Sequence, residues 1–280
     1  MKNKIGIICD STSYLDKEFI EIHDISIVNL SININGNSYR DMIDIDNTLL
    51  FKMMNDKMSL TTSQPSPEQF LNAYIEKSKT YDKIICLTIS SGLSGTYNSA
   101  NLAKSMYDGK AKIEVIDTLT SGMGIRACIE KVIESNEDVF SKVVGNVKTF
   151  VKASTTFLTI DDLQTLVKTG RMKVAQALIG NVLKVKPLLT LDKEGKIVVY
   201  DKVRTTKKLV GKLASIILES KADKVYIAYA GSKEVFDKNI EILKERVGNV
   251  ELILCSEIGP VLSTHLGKGG LGLFFTKNNA

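Results

Sequence analysis

Residues 83–100 read KIICLTISSGLSGTYNSA. Ile84, Ile85, Cys86, Leu87, Thr88 and Ile89 form an unbroken apolar, β-branched run, the pattern of a strand buried on both faces of a parallel sheet. The run stops at Ser90-Ser91-Gly92-Leu93-Ser94-Gly95-Thr96, and helical spacing takes over with Tyr97, Ala100, Leu102, Ala103 and Met106. A Ser/Gly turn between strand and helix offers backbone N–H groups at a helix N-terminus, backed by the positive end of the helix dipole. Such turns bind anions. Gly92 and Gly95 let the backbone approach a ligand closely, and the hydroxyls of Ser90, Ser91, Ser94 and Thr96 add donors.

Working outward, the same strand–loop–helix rhythm repeats. Lys4–Cys9 is a strand closed by Asp10-Ser11-Thr12-Ser13. Lys112–Ile116 is another, closed by Asp117, Thr118, Thr120 and Ser121 before a helix through Ile125, Ile129 and Val132. Strands alternating with helices predict a parallel sheet covered on both faces, with ligands at the carboxyl ends of its strands. Asp10 could be a nucleophile or a ligand, but no second carboxylate follows at DxD spacing, so capping is the simpler role. Ile25–Ile34 reads as one further strand, Gly36-Asn37 as a turn, and Asp46-Asn47 as the start of a helix through Met54. His23 stands among acidic residues and reads as exposed and passive. In Leu60–Phe70 (LTTSQPSPEQF), Pro65 and Pro67 argue against a regular element. Ser66 can cap a helix from Pro67, and Thr61, Thr62, Ser63 and Gln64 could form the second wall of a small polar pocket.

From Thr155 the rhythm changes. Thr156–Ile160 reads as a strand, and Asp161-Asp162 cap a helix (Leu163, Leu166, Val167) broken at Gly170-Arg171. A second apolar helix follows through Val174, Ala177, Leu178 and Val182. Lys186–Leu191 and Lys196–Val203 flank Asp192-Lys193-Glu194-Gly195, a hairpin signal. Helix, strand, helix and strand follow to Cys255, and Glu257–Phe275 holds a short helix from Pro260 with His265, then a glycine-rich turn into an apolar strand.

At 280 residues the chain is long enough for two domains. Residues 1–155 carry a net charge of −2 and residues 156–280 one of +7, so the second half suits an acidic or phosphate-bearing partner. Basic residues are not interleaved with aromatics, which argues against nucleic acid. No apolar run is long enough to span a membrane and the N-terminus lacks a signal-peptide core, so a cytoplasmic protein with at most transient membrane contact is expected. Cys9, Cys86 and Cys255 lie in strand-like runs and Cys128 in a helical one. Without CxxC pairs or Cys/His clusters, neither a disulfide framework nor a metal site is expected.

Ser94 and His265 invite a serine-hydrolase reading (an esterase or thioesterase), with Asp10 or Asp117 as third member. Against it, the nucleophile elbow is G-x-S-x-G, and here the glycine after Ser94 comes one residue early. There is no P-loop lysine and no G-x-G-x-x-G after a strand. Anion binding has its parts and catalysis lacks them.

Asp10-Ser11-Thr12-Ser13, Thr62-Ser63-Gln64-Pro65-Ser66, Ser90-Ser91-Gly92-Leu93-Ser94-Gly95-Thr96-Tyr97, Gly170-Arg171, Lys186-Pro187-Leu188 and Gly259-Pro260-Val261 with Thr264-His265 run in this order through almost the whole chain. The series resembles the motifs of the DegV family, bacterial fatty-acid-binding proteins of the FakB type. That resemblance implies an α/β fold of two domains, shared in outline with the substrate-binding part of dihydroxyacetone kinases. Residues 1–155 would form a parallel α/β/α N-terminal domain with the Ser/Gly carboxylate-binding loop, and residues 156–280 a mixed-sheet α/β C-terminal domain closing over the acyl chain. It implies a long-chain fatty acid such as palmitate or oleate between them, no cofactor, and a carboxylate held by Thr62 and Ser94 beside Gly95 with His265 nearby. A separate ATP-dependent fatty acid kinase would convert the presented acid to acyl phosphate for phospholipid synthesis, the carrier itself doing no phosphoryl chemistry. Two departures stand out: Thr169-Gly170-Arg171 replaces the usual GGR, and Ser263-Thr264-His265-Leu266-Gly267-Lys268-Gly269 replaces G-T-H-x-G-P-G.

Neutral hydroxyls and helix-terminal N–H groups can hold a carboxylate without a full counter-charge. At roughly 0.8 kcal/mol per buried methylene, a chain of about 14 methylenes gives a gross burial term on the order of 11 kcal/mol. Leu163, Val167, Leu178, Ile179, Val182 and Leu183 are the candidate tunnel residues, and Arg171, Lys173, Arg204 and Lys207 the candidate kinase-docking surface.

Overall fold

The structure is a computed structural model, and it describes residues 5–54, 60–160, 163–172 and 186–277. In chain order the first part comprises β1 (Gly6–Asp10), α1 (Lys17–Ile22), β2 (Ile25–Val28), β3 (Ser31–Ile34), β4 (Asn37–Arg40), α2 (Asn47–Met53), β5 (Leu60–Ser63), α3 (Pro67–Ser78), β6 (Lys83–Thr88), α4 (Thr96–Met106), β7 (Lys112–Asp117), α5 (Met123–Ile133) and α6 (Phe140–Ala153). The second comprises β8 (Ser154–Thr159), α7 (Leu163–Lys168), β9 (Lys186–Leu191), β10 (Ile197–Val203), α8 (Thr206–Ser220), β11 (Lys224–Tyr229), α9 (Lys233–Val247), β12 (Glu251–Glu257), α10 (Pro260–Leu266) and β13 (Leu271–Thr276).

The expected parallel sheet is present, in the order β2-β1-β6-β7. Its strands are apolar on both faces because both are covered. Ile84 and Cys86 of β6 turn toward Phe70 and Tyr74 of α3 and Ala100 and Ala103 of α4, while Ile85 and Leu87 turn toward α5 and α6. The second, mixed sheet has the order β10-β9-β8-β13-β11-β12, with β11 and β12 parallel and its other pairings antiparallel. Leu271, Leu273 and Phe275 of β13 pack under α8 and α9, and Phe274 faces the opposite way, into the α5–α6 layer. The helices α5 and α6 are thus shared filling between the two sheets: one core cluster runs from Ile7 and Leu87 through Ile125 and Ile129 to Tyr226 and Phe274. Among the described residues no helix is long and apolar enough to cross a membrane.

Two sequence expectations fail here. Ile25–Ile34 is two strands, not one. At Asn29-Leu30 the chain is pulled out of the parallel sheet: the Asn29 side chain donates to the Asp41 carbonyl (2.9 Å) and the Leu30 N–H to Ser11 Oγ (3.2 Å). The continuation, β3, starts a small antiparallel sheet of order β4-β3-β5. The polar stretch Leu60–Ser63 is also a strand, in which Thr62 pairs with Ile32. Pro65 and Pro67 only stop its extension, and Pro67 opens α3 behind a Ser66–Gln69 capping box.

Candidate functional site

Three loops meet around the carboxyl end of β1, and Asp10 holds two of them. Its Oδ1 accepts the N–H (3.0 Å) and hydroxyl (2.5 Å) of Thr12, which is the capping role expected for it. Its Oδ2 accepts the N–H of Ile89 (2.6 Å), which fixes the chain just after β6. Ser11 donates to Asp41 Oδ2 (2.7 Å), and Asp41 Oδ1 accepts the N–H of Val261 at the start of α10 (3.2 Å). Tyr14, in the left-handed region at φ 45°, places its hydroxyl oxygen to accept the N–H of Leu262 (3.1 Å). Burial pushes both carboxyls up to about 6, against the hydrogen bonds from Thr12 and Ile89 for Asp10 and from Ser11 and Val261 for Asp41.

The Ser/Gly loop is built as a rigid turn. The Ser90 N–H donates to the Thr120 carbonyl (2.8 Å), Ser91 N–H to Asp117 Oδ1 (3.1 Å) and Gly92 N–H to Ser90 Oγ (3.1 Å). The N–H groups of Leu93 and Ser94 both donate to the Ser90 carbonyl. Backbone donors that the sequence suggested for an anion, from Ser90 to Ser94, are therefore used in shaping the loop. What this loop offers a ligand is the Ser94 hydroxyl, which shares a hydrogen bond with Thr96 Oγ1 (2.9 Å). The glycines have a packing reason. A Cβ on Gly95 would lie 2.0 Å from Gln64 Oε1, and one on Gly92 would lie 2.5 Å from the Glu194 carbonyl. Gly95 thus seats the loop against the Thr62–Ser66 motif, and Gly92 seats it against the β9–β10 turn. Ser90 donates to the Gly195 carbonyl across that second contact (2.9 Å).

Thr62, Ser94, Arg171 and His265 all line one cavity, about 750 Å3 of atom-free space partly continuous with solvent. Its remaining walls are mainly apolar, with Ile89, Leu93, Met123, Leu158, Leu166 and Leu262 among them. They come from the parallel sheet, α5, the mixed sheet, α7 and α10, so the cavity opens where the two sheets face each other. His265 is buried and its Nε2 lies 2.9 Å from Thr62 Oγ1, while its Nδ1 has no hydrogen-bond partner among the described residues. Burial, and then the charge of Arg171, lower its pKa to about 3, so the imidazole is neutral at neutral pH. Arg171 donates from Nη1 to the Thr169 carbonyl (2.7 Å), and its partial burial lowers its own pKa.

Arg171, partly exposed, stands in the cavity wall and adds a cation to the neutral donors read from sequence. Arg204 and Lys207 are exposed, and Lys173 lies outside the described residues. Leu163 is buried with Leu158, Ile160, Leu166 and Met172, and Val167 packs against that cluster, but Leu166 is the α7 residue that reaches the cavity. Leu178, Ile179, Val182 and Leu183 lie outside the described residues. Met123, Leu158 and Leu262 were missed. The signal for Leu158 was present, since strand alternation puts it opposite Phe157, on the α5 side of the sheet.

The arrangement also bears on acyl-transfer chemistry. Ser94 is hydrogen-bonded to Thr96 and His265 to Thr62, and the carboxylates of Asp10 and Asp117 bind backbone N–H groups. A histidine held this far below its usual basicity is a poor general base.

Comparison with known proteins identifies the family and the fold. A family model described as "Uncharacterised protein, DegV family" matches residues 4–278. A DegV domain-containing protein of Listeria innocua is 32% identical over 282 residues, covering 98% of each chain. The crystal structure of DegV from Bacillus subtilis, described as a fatty acid binding protein, is 31% identical with a TM-score of 0.86, over 98% of this chain and 99% of that one. A stearic acid-binding protein from Eubacterium ventriosum is 27% identical with a TM-score of 0.85, over 98% of both chains.

Proposed function

The chain belongs to the DegV family, and from that premise we propose that it binds a long-chain fatty acid between its two sheets and presents the carboxylate to a separate ATP-dependent fatty acid kinase. The observation that carries this reading is that Thr62, Ser94, Arg171 and His265 line one mainly apolar cavity, with Thr62 and His265 in hydrogen-bond contact. An ionised carboxylate accepts hydrogen bonds and donates none, and each of these residues can supply or orient a donor. Neutral His265 with its proton on Nε2 donates to Thr62 Oγ1, which leaves the Thr62 hydroxyl hydrogen free for the carboxylate. Arg171 compensates the charge, and its bond to the Thr169 carbonyl fixes where it stands. The apolar walls take the hydrocarbon, whose burial provides most of the affinity.

In this reading the two domains meet near residues 155 and 156, with the headgroup held by Thr62 and Ser94 of the first and by Arg171 and His265 of the second. The protein is a carrier, and phosphoryl transfer belongs to the kinase. Delipidated protein loaded with oleate should support ATP-dependent acyl phosphate formation by a bacterial fatty acid kinase. Thr62→Ala and Ser94→Ala should reduce it at least tenfold while the fold survives. Unchanged turnover in both variants refutes the headgroup assignment. Labelling of Ser94 by a fluorophosphonate probe would point to a hydrolase instead.

A further inference from the structure

Ser94 and Thr96 share a hydrogen bond whose direction decides what Ser94 can offer a ligand. Their hydroxyl oxygens lie 2.9 Å apart, and the Thr96 N–H donates to the same Ser94 oxygen at 3.4 Å. Ser94 is half-buried and lines the cavity, whereas Thr96 is fully buried and is not among the cavity walls. Among the described residues the Thr96 hydroxyl has no partner but Ser94. Were Ser94 the donor, the Thr96 hydrogen would be stranded in a buried setting, an unfavourable state for a hydroxyl. Burial therefore sends the Thr96 hydrogen to Ser94. The Ser94 oxygen then accepts twice, from the hydroxyl and the N–H of Thr96, which engages both of its lone pairs. Only the Ser94 hydrogen remains, and the cavity is where it finds an acceptor.

We propose that Thr96 is a positioning residue that makes Ser94 a one-way donor, so that the headgroup site selects a group that only accepts hydrogen bonds. The assignment rests on the fatty-acid reading and deepens it, by adding a residue that acts through Ser94 and touches no ligand. An ionised carboxylate is such a group. A protonated acid or an alcohol carries a hydrogen of its own, for which the Ser94–Thr96 pair has no free acceptor. His265 does the same for Thr62 when its proton is on Nε2, 2.9 Å from Thr62 Oγ1. The two hydroxyls that line the cavity are thus each supplied by a buried neighbour, and each has its hydrogen left for the ligand.

The test is a double-mutant cycle on delipidated full-length protein, with binding of oleate and of oleyl alcohol read by calorimetry. Thr96→Val keeps the shape and removes the hydroxyl. It should weaken oleate about fivefold, within the contribution of one hydrogen bond, and oleyl alcohol by less than about twofold. The alcohol loses less because it can donate into the lone pair that the valine leaves open on Ser94. Thr96→Ser keeps the hydroxyl and should bind oleate as the wild type does. In a Ser94→Ala background Thr96→Val should cost nothing further, because the group it acts through is gone. Equal losses for acid and alcohol, the same loss with and without Ser94, or oleate binding untouched by Thr96→Val would each overturn the proposal. Should Thr96→Val not fold, Thr96→Ala takes its place in the cycle. Oleate binding unchanged by Ser94→Ala refutes the headgroup assignment and the role of Thr96 with it. Wild-type protein that binds no oleate refutes the fatty-acid reading itself.

Discussion

Thr62 and Ser94 lie 32 residues apart and meet at one cavity because Gln64, two residues after Thr62, packs on Gly95, one residue after Ser94. Their hydroxyls were legible as donors, but the contact joining them is tertiary and leaves no mark in local pattern. Removing either hydroxyl deletes one hydrogen bond to a charged group, worth roughly 1.5–3 kcal/mol. Thr62→Ala and Ser94→Ala should each weaken oleate binding about 10- to 100-fold in calorimetry, with melting temperatures little changed. Arg171 was read from sequence as a surface cation. Its glycine neighbour signalled a helix break, and nothing in the local sequence told that the break turns the side chain inward. Arg171→Leu should weaken binding of oleate but not of oleyl alcohol, which carries no charge. Equal losses for both would contradict its role as counter-charge.

At the scale of elements, the strand–turn–helix at Lys83–Met106 and the Asp192–Gly195 hairpin were legible from apolar runs and turn residues. The docking of one on the other was not. Gly195 has φ +70°, and a Cβ there would lie 1.9 Å from Ser90 Oγ. Gly195→Ala should therefore cost about 2 kcal/mol or more in denaturant melts and also weaken lipid binding, by displacing the Ser90–Ser94 turn. The break in Ile25–Ile34 did leave a mark, since the apolar phase shifts from odd to even positions between Ile27 and Val28, while the contacts with Ser11 and Asp41 that pull the chain aside are tertiary. Those same contacts make α10 sensitive to pH. Asp41 titrates near 6 in the fold against an ordinary value of 3.8, so the folded state binds more protons between these limits. The stability it contributes is complete below about pH 4 and is lost as pH rises through 6. His265 runs the other way: its value falls from 6.5 to about 3, so its contribution is complete above 6.5 and is lost as pH falls through 3. Relative to wild type, Asp41→Asn should gain roughly 1–3 kcal/mol between pH 4 and pH 7. A gap independent of pH would contradict the burial of a titrating carboxyl there.

For the whole molecule, the alternating and mixed halves were visible as a change of rhythm near Thr155, and the shared α5–α6 layer was not. A helix buried between two sheets and one buried on a single sheet differ in how much of the circumference is apolar, and α5 is apolar over most of it: Met123, Ile125, Ala127, Cys128, Ile129 and Val132 are all buried, while Arg126 and Glu130 pair on the remaining face. This shared layer joins the sheets through a common core, and the cavity lies beside it where Met123 forms part of the wall. The positive second half, +7 over residues 156–280, suits docking to an acidic kinase surface. Reversing charge at exposed Arg204 and Lys207 should leave lipid binding intact while lowering kinase coupling about tenfold, and lowering the ionic strength should strengthen coupling in the wild type but not in the variant.

The most direct measurement is native mass spectrometry of the protein as purified, followed by organic extraction of whatever it carries. The expected spectrum shows one added mass per chain matching an acid of about 16 to 18 carbons, lost on extraction and regained on incubation with palmitate or oleate. A chain that arrives empty and takes up neither acid would contradict a hydrocarbon-filled cleft between the sheets.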